Sequence, residues 1–254
     1  MNVTFLGTGT SQGVPVIACH CEVCSSLDFR DKRLRASIHI QHENQSLVID
    51  SGPDFRQQML RERINHLDAL LFTHEHKDHT AGMDDVRAFN FKQRIDIPVY
   101  GHQRVLDQLK QEFSYIFTNR SYPGIPRIKT HAITNDPFSI GDISIIPIEV
   151  MHYKLPVFGF RIKNFTYITD ANYISAEEIE KIKGSEILVM NALQQEDHIS
   201  HFKLSQAIEL INDINPDQAY LTHISHKMGL HHEINQSLPE NISLAHDGLK
   251  ISIL

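Results

Sequence analysis

Three imidazoles and two carboxylates fall within six positions in Thr73-His74-Glu75-His76-Lys77-Asp78-His79, directly after the apolar run Leu70-Leu71-Phe72. So dense a set of nitrogen and oxygen donors is the chemistry of a divalent metal site. His74 and His76 are two apart, so their rings converge only where the backbone leaves a strand still extended. Asp78 and His79 begin a turn into the next helix and can point at a second, neighbouring ion. A solvated polar loop in a chain with 17 histidines is the bland alternative, and the spacing favours the metal.

An open metal site draws its ligands from several strand ends. Three residues qualify: His152 after Ile143-Ser144-Ile145-Ile146-Pro147-Ile148-Glu149-Val150, Asp170 after Phe165-Thr166-Tyr167-Ile168-Thr169, and His223 after Ala219-Tyr220-Leu221-Thr222. Each could instead punctuate a turn. Together with the opening motif they form a set.

These residues resemble the metallo-β-lactamase superfamily, in which a His-x-His-x-Asp-His motif, a later His, an Asp and a final His build a dinuclear site. The resemblance runs nearly end to end. It implies a first ion on His74, His76 and His152, a second on Asp78, His79 and His223, and Asp170 between them. Asp50, ending Ser46-Leu47-Val48-Ile49, matches the family's early aspartate, which supports the ligand loop by hydrogen bonding; an Asp opening a turn before Gly52-Pro53 is the other reading.

All three cysteines lie in Cys19-His20-Cys21-Glu22-Val23-Cys24. An odd count cannot pair fully, and Met1-Asn2-Val3-Thr4-Phe5-Leu6 lacks the basic start and long apolar stretch of an export signal, so a cytoplasmic chain with reduced thiols is expected. Cys-x-Cys-x-x-Cys plus one imidazole makes a closed, structural zinc site. His20 sits badly inside the loop; His226, three beyond His223, is the better fourth ligand. A reactive redox cluster is the competing reading of the thiols.

The cysteine loop with a final His-x-x-His is similar to the subgroup containing the cyclic-phosphate phosphodiesterases of the bacterial carbon-phosphorus lyase pathway. Gly7-Thr8-Gly9-Thr10-Ser11-Gln12-Gly13-Val14-Pro15, Gly82-Met83-Asp84-Asp85-Val86-Arg87 and Leu155-Pro156-Val157-Phe158-Gly159-Phe160 carry the same likeness. It implies hydrolysis of a small phosphodiester by metal-activated water, with zinc or manganese ions in the active site and a structural zinc. His201, before the segment Leu204 to Ile214, matches a histidine proposed to serve the leaving group; a helix-leading surface histidine is its alternative.

Net charge is −7, from 24 basic and 31 acidic residues. That disfavours tracking along a nucleic-acid backbone, while two ions and few carboxylates would attract a small anion. Arg30, Lys32, Arg33 and Arg35 form the densest basic run and read as a solvated loop face or as a second phosphate contact. A transfer-RNA 3′-end endonuclease shares the metal motif, but its Pro-Gly-Leu sequence is absent after Gly82. A thioester hydrolase lacks the cysteine loop, and a cofactor-pathway accessory protein is the non-enzyme alternative. A homodimer is compatible with all of these.

The apolar fraction, about 46% with glycine included, is globular. No run is long enough for a membrane span and no linker divides the chain, so one domain over 1–254 is expected, with the zinc loop at 19–24. Periodicity predicts strands near 2–7, 36–42, 46–50, 67–73, 97–101, 143–151, 157–169 in two pieces, 186–191, 218–223 and 242–254, the last with a hairpin at Asp247-Gly248. Helices are predicted near 53–63, 83–89, 103–117, 175–183 and 203–214, with a capping box from Ser175 to Glu178. This is an α/β pattern, which the resemblance sharpens to a four-layer αββα sandwich. The segment 118–142 reads as an irregular excursion beside the cleft.

Overall fold

In the strand Gln45–Ile49 the side chains of Leu47 and Ile49 point to one face of their sheet and Val48 to the other, yet all three are fully buried. A strand with both faces buried must lie between two layers. The computed structural model describes residues 1–118 and 124–253 and places such strands at the centre of an αββα sandwich. The first sheet contains β1 (Asn2–Gly7), β2 (Ser37–His42), β3 (Gln45–Ile49), β4 (Ala69–Leu71), β5 (Ile97–His102) and β6 (Ile128–Ile133) in that order. The second is built from β7 (Phe138–Ile140), β8 (Ile143–His152), β9 (Leu155–Ile162), β10 (Phe165–Tyr167), β11 (Tyr173–Ile174), β12 (Ile187–Asn191), β13 (Gln218–Thr222) and β14 (Ile242–Leu244). β15 (Lys250–Ser252) returns to the first sheet beside β1.

Phe5, Ile38, Ile40, Phe160, Phe165 and Tyr167 fill the space between the sheets. The outer faces are covered by helices. Gln103–Glu112 buries Val105, Leu106 and Leu109 over the first sheet, and Leu204–Ile214 buries Ala207, Ile211 and Ile214 over the second. Those spacings are one helical stripe. Each fully buried aliphatic or aromatic side chain contributes roughly 1.5–3 kcal/mol relative to exposure.

Four expectations need correction. Asp247-Gly248 does not close a hairpin, because β14 runs parallel to β13 while β15 pairs with β1 in the other sheet. The Asp247 carboxylate accepts from the Thr8 and Leu34 backbone N–H groups, each at 2.9 Å, so tertiary donors fix this crossover. Segment 118–142 holds β6 and β7 rather than an irregular excursion; within it, Tyr122 and Pro123 lie outside the described residues. The helix expected at 83–89 is a short 3-10 turn, Met83–Val86, followed by Arg87–Gln93. Ser175 does accept from the Glu178 N–H, but the Glu178 carboxylate reaches the Glu149 N–H at 2.9 Å instead of turning back. The helix His231–Ser237 carried no strong start signal and was not expected.

Candidate metal centre

The parallel strands β3 and β4 end side by side, and their exits supply the first half of the site. Asp50, just past β3, accepts from the Thr73 N–H and hydroxyl, both at 2.9 Å, and from His79 Nδ1 at 2.7 Å. The strand exit thus grips both ends of the ligand loop. Gly52 and Gly82 complete the grip by absence of side chains: a Cβ on Gly52 would collide with the Asp78 carbonyl, and one on Gly82 with the Gly52 carbonyl.

The second sheet supplies the rest from β8, β10 and β13. Asp50, Asp170 and His223 all sit in the left-handed region, with φ of 65°, 56° and 56°. Non-glycine residues adopt it at a cost, and it turns each side chain sharply out of its strand.

The structure brings every expected donor together. His74 Nε2 lies 3.0 Å from His76 Nδ1, and His74, His76 and His152 form one group that could hold an ion. Asp78, His79 and His223 form another, and Asp170 shares a group with His74 and His79. Asp170 places one oxygen 3.2 Å from His79 Nε2 and the other 3.2 Å from His223 Nε2. Hydrogen bonding fixes which nitrogens face inward. His79 gives its Nδ1 proton to Asp50 and His152 gives its own to the Ser200 carbonyl at 2.9 Å, leaving Nε2 of each towards the cluster.

These residues fit divalent cations on physical grounds. His79 Nε2 and both His223 nitrogens are buried without hydrogen-bond partners, which costs roughly 1–3 kcal/mol each unless a ligand answers them. Burial opposes charge on His79, but Asp78, Asp170 and Asp50 outweigh it and hold its proton affinity well above the ordinary range. A field strong enough to do that would bind a cation in the same place.

His201 is not a surface residue. It is 7% exposed, its ring stacks on His223 at 4.9 Å, and its Nδ1 lies 3.8 Å from Asp170. Burial, reinforced by His223, pushes its pKa down to about 3. His198, the weaker candidate, lies 5.1 Å from it, ring to ring.

Cys19, Cys21 and Cys24 point their sulfurs at His226 Nδ1 from 3.3, 3.3 and 3.6 Å, and His20 is outside the group. The Cys24 N–H is the main cause holding the Cys21 thiol down, at about 6. Thiols and imidazole are arranged as a closed zinc site requires. Between His223 and His226, Ile224 donates to the Thr8 carbonyl and accepts from the Thr10 N–H, so one short loop serves both clusters.

The basic run is only partly a solvated face, and its side chains are paired within the protein. Arg33 is buried and donates to Thr8 Oγ1 at 2.8 Å and the Ala245 carbonyl at 2.6 Å, with His231 at 3.1 Å. Arg30 pairs with Asp28 at 2.6 Å, Arg35 with Asp54 at 3.2 Å, and Lys32 donates to the Cys24 carbonyl. Local carboxylates and carbonyls have taken every cation. Unforeseen in the sequence was a cavity of about 710 Å³ beside His76 and His152, rimmed by Tyr153, Lys154 and Ile199.

The two-sheet sandwich and its cluster at the strand exits define a metal-dependent hydrolase fold of the metallo-β-lactamase type. The chain belongs to the beta-lactamase superfamily, whose domain model matches residues 45–224, and within it the chain is PhnP-like. It is similar to the crystal structure of a diphosphatase from the PhnP family, with 36% identity, a TM-score of 0.94, and coverage of 100% of this chain and 98% of that one. An octanoyltransferase from Porphyromonas gingivalis is 41% identical over 256 residues; all of this chain is covered, but only 52% of that protein, so the chain spans about half its length. Zn²⁺-bound PqqB from Methylobacterium extorquens, 19% identical over the whole of both chains with a TM-score of 0.84, shares the fold. No described helix is long and apolar enough to cross a membrane.

Proposed function

We propose that the chain is a phosphodiesterase that hydrolyses an ester bond of a small cyclic phosphate or nucleotide-like diester. The observation carrying this reading is the cluster of inward-facing ring nitrogens left without partners around Asp78 and Asp170. His74, His76 and His152 would hold one divalent cation, Asp78, His79 and His223 a second, and Asp170 would reach both; zinc or manganese suits these donors. When bound, such a pair supplies Lewis acidity and acidifies a shared water towards a pKa of about 7.

The chain's own residues do the rest. Asp50 holds His79 in one tautomer, and the Ser200 carbonyl does the same for His152. His201 is neutral while buried alone; an anionic phosphate beside it would favour its protonated form and let it donate to the leaving alkoxide. Cys19, Cys21, Cys24 and His226 would hold a structural zinc, which fits reduced thiols in a cytoplasmic, single-domain protein.

The octanoyltransferase relative is about twice as long, and this reading assigns acyl transfer to the half that the chain does not match. A retired accessory protein fits less well, because no ligand position has been lost. The test is a hydrolysis screen of the purified, remetallated protein against cyclic nucleotides, ribose cyclic phosphates, linear diesters, diphosphate esters and thioesters, with elemental analysis alongside. Turnover of phosphate esters with up to three ions per chain is expected. Turnover of thioesters alone, or one ion or fewer after full remetallation, overturns it.

A further inference from the structure

His201 is buried at the metal centre, yet the chain that carries it, residues 192–203 between β12 and the helix Leu204–Ile214, forms neither strand nor helix. No repeating ladder fixes such a segment, so its position rests on single hydrogen bonds. The ring does not anchor itself, because Nδ1 is buried without a hydrogen-bond partner. Three contacts hold the backbone on either side of it. The Ile199 carbonyl accepts from the Asn172 carboxamide at 3.2 Å, the Ser200 carbonyl accepts from His152 Nδ1 at 2.9 Å, and the Phe202 N–H donates to the Ala171 carbonyl at 2.7 Å.

Ala171 and Asn172 directly follow Asp170, and each is gripped twice. Asn191, fully buried at the end of β12, accepts from the Ala171 N–H at 2.8 Å and donates to the Ala171 carbonyl at 2.9 Å. Asn172 brackets His152 in turn: its N–H donates to the Met151 carbonyl at 2.8 Å, and its carboxamide oxygen accepts from the Tyr153 N–H at 2.7 Å. Tyr153 sits at φ 57°, a costly conformation for a bulky residue, and the Asn172 bond secures its N–H there. One carboxamide therefore joins the strand exit that carries His152 to the loop that carries His201, from a position two residues beyond Asp170. The donor atoms of His152, Asp170 and His201 lie within 4.8 Å of one another.

We infer that Asn172, supported by Asn191 through Ala171, is a positioning residue for His201: it fixes how the imidazole is presented to the leaving group. This rests on the phosphodiesterase reading above and deepens it. Asn172 acts only through the loop, so its contribution should vanish once the His201 ring is gone. Misplacing a catalytic group by about 1 Å can cost about 10²-fold in rate, and loss of one anchor among three should cost about tenfold.

Asn172→Asp keeps an acceptor for Tyr153 and removes the donor to Ile199, and Asn172→Ala removes both contacts without adding charge. Each should lower kcat for an alkyl diester about tenfold with no loss of bound metal, and should cost nothing further in a His201→Ala background. Hydrogen exchange of the remetallated proteins reads the same link without turnover: the amides of 198–202 should exchange about tenfold or more faster in both variants, while the β8 amides in Asn172→Asp keep their wild-type protection. Equal rate losses with and without His201, or unchanged exchange at 198–202, overturn the inference. A wild type that hydrolyses no diester overturns the phosphodiesterase reading instead, and the exchange data then decide the Asn172 link on their own.

Discussion

Asp50 Oδ2 accepts the Nδ1 proton of His79 at 2.7 Å, and neither side chain is exposed. The contact joins the end of β3 to the start of the helical turn after β4, and so sets both the position and the tautomer of the ring. Burial pushes the Asp50 pKa upward, and His79 and the two Thr73 donors pull against it. Burial wins, leaving the pKa above the ordinary carboxylate value, so the loop donors only partly offset the cost of burying the group they surround.

Asp50→Asn preserves shape and tests that dependence. A carboxamide can turn its N–H towards His79 Nδ1, which would force the ring proton onto Nε2 and aim it into the cluster. Metal affinity should fall about 10–100-fold, measured by competition with a chelator, while circular dichroism stays native. Unaltered affinity would mean that Asp50 merely opens a turn.

Folding and chemistry should separate at the two clusters. Cys21→Ser should lower zinc content, solubility and thermal stability together, because zinc affinity at a closed site is coupled to folding. His76→Ala should abolish turnover yet leave the fold intact. A Cys21→Ser protein with full stability and zinc would remove the structural role of the loop.

What could be read from the sequence was local. His74 to His79 are contiguous and reveal their chemistry by spacing, and His152, Asp170 and His223 are marked by the apolar strands they follow. Left-handed backbone at Asp50, Asp170 and His223 leaves no mark on residue type, because Asp and His are ordinary turn residues. Asp247-Gly248 reads as a hairpin for the same reason: its real partners, Thr8 and Leu34, are more than 200 residues away in the chain. The basic run misled in part because the partners of Arg33 and Arg35, the Ala245 carbonyl and Asp54, come from distant elements, although those of Arg30 and Lys32, Asp28 and the Cys24 carbonyl, lie close in the chain. Burial of His201 could be seen only once β8, β10 and β13 were assembled around it.

His39 should make the fold acid-sensitive well away from the metal centre. Burial lowers its pKa to about 4, and its Nε2 bonds the Ser46 hydroxyl at 2.8 Å, with Glu62 and Lys250 the charged groups nearby. An unfolded histidine titrates near 6.5, so below that pH the unfolded chain gains a proton that the folded one refuses. Stability should fall as pH drops from about 6.5 to about 4 and then level off, the total being on the order of 3 kcal/mol at most. In His39→Asn, urea unfolding should show a shallower decline over that window. An identical pH slope would show that His39 is protonated in the fold.

His201 is best tested by varying the leaving group. If its proton assists departure, His201→Ala should slow diesters with poorly stabilised alkoxide leaving groups by about 10²–10⁴, the range of general acid catalysis. A nitrophenolate departs without a proton, so nitrophenyl diesters should lose far less. A histidine that only orients phosphate, as its 3.8 Å approach to Asp170 would also permit, should damage both classes equally. Measuring kcat across a leaving-group series in both proteins therefore separates the roles: a steeper dependence on leaving-group pKa in His201→Ala marks the proton donor, and parallel lines mark a positioning residue.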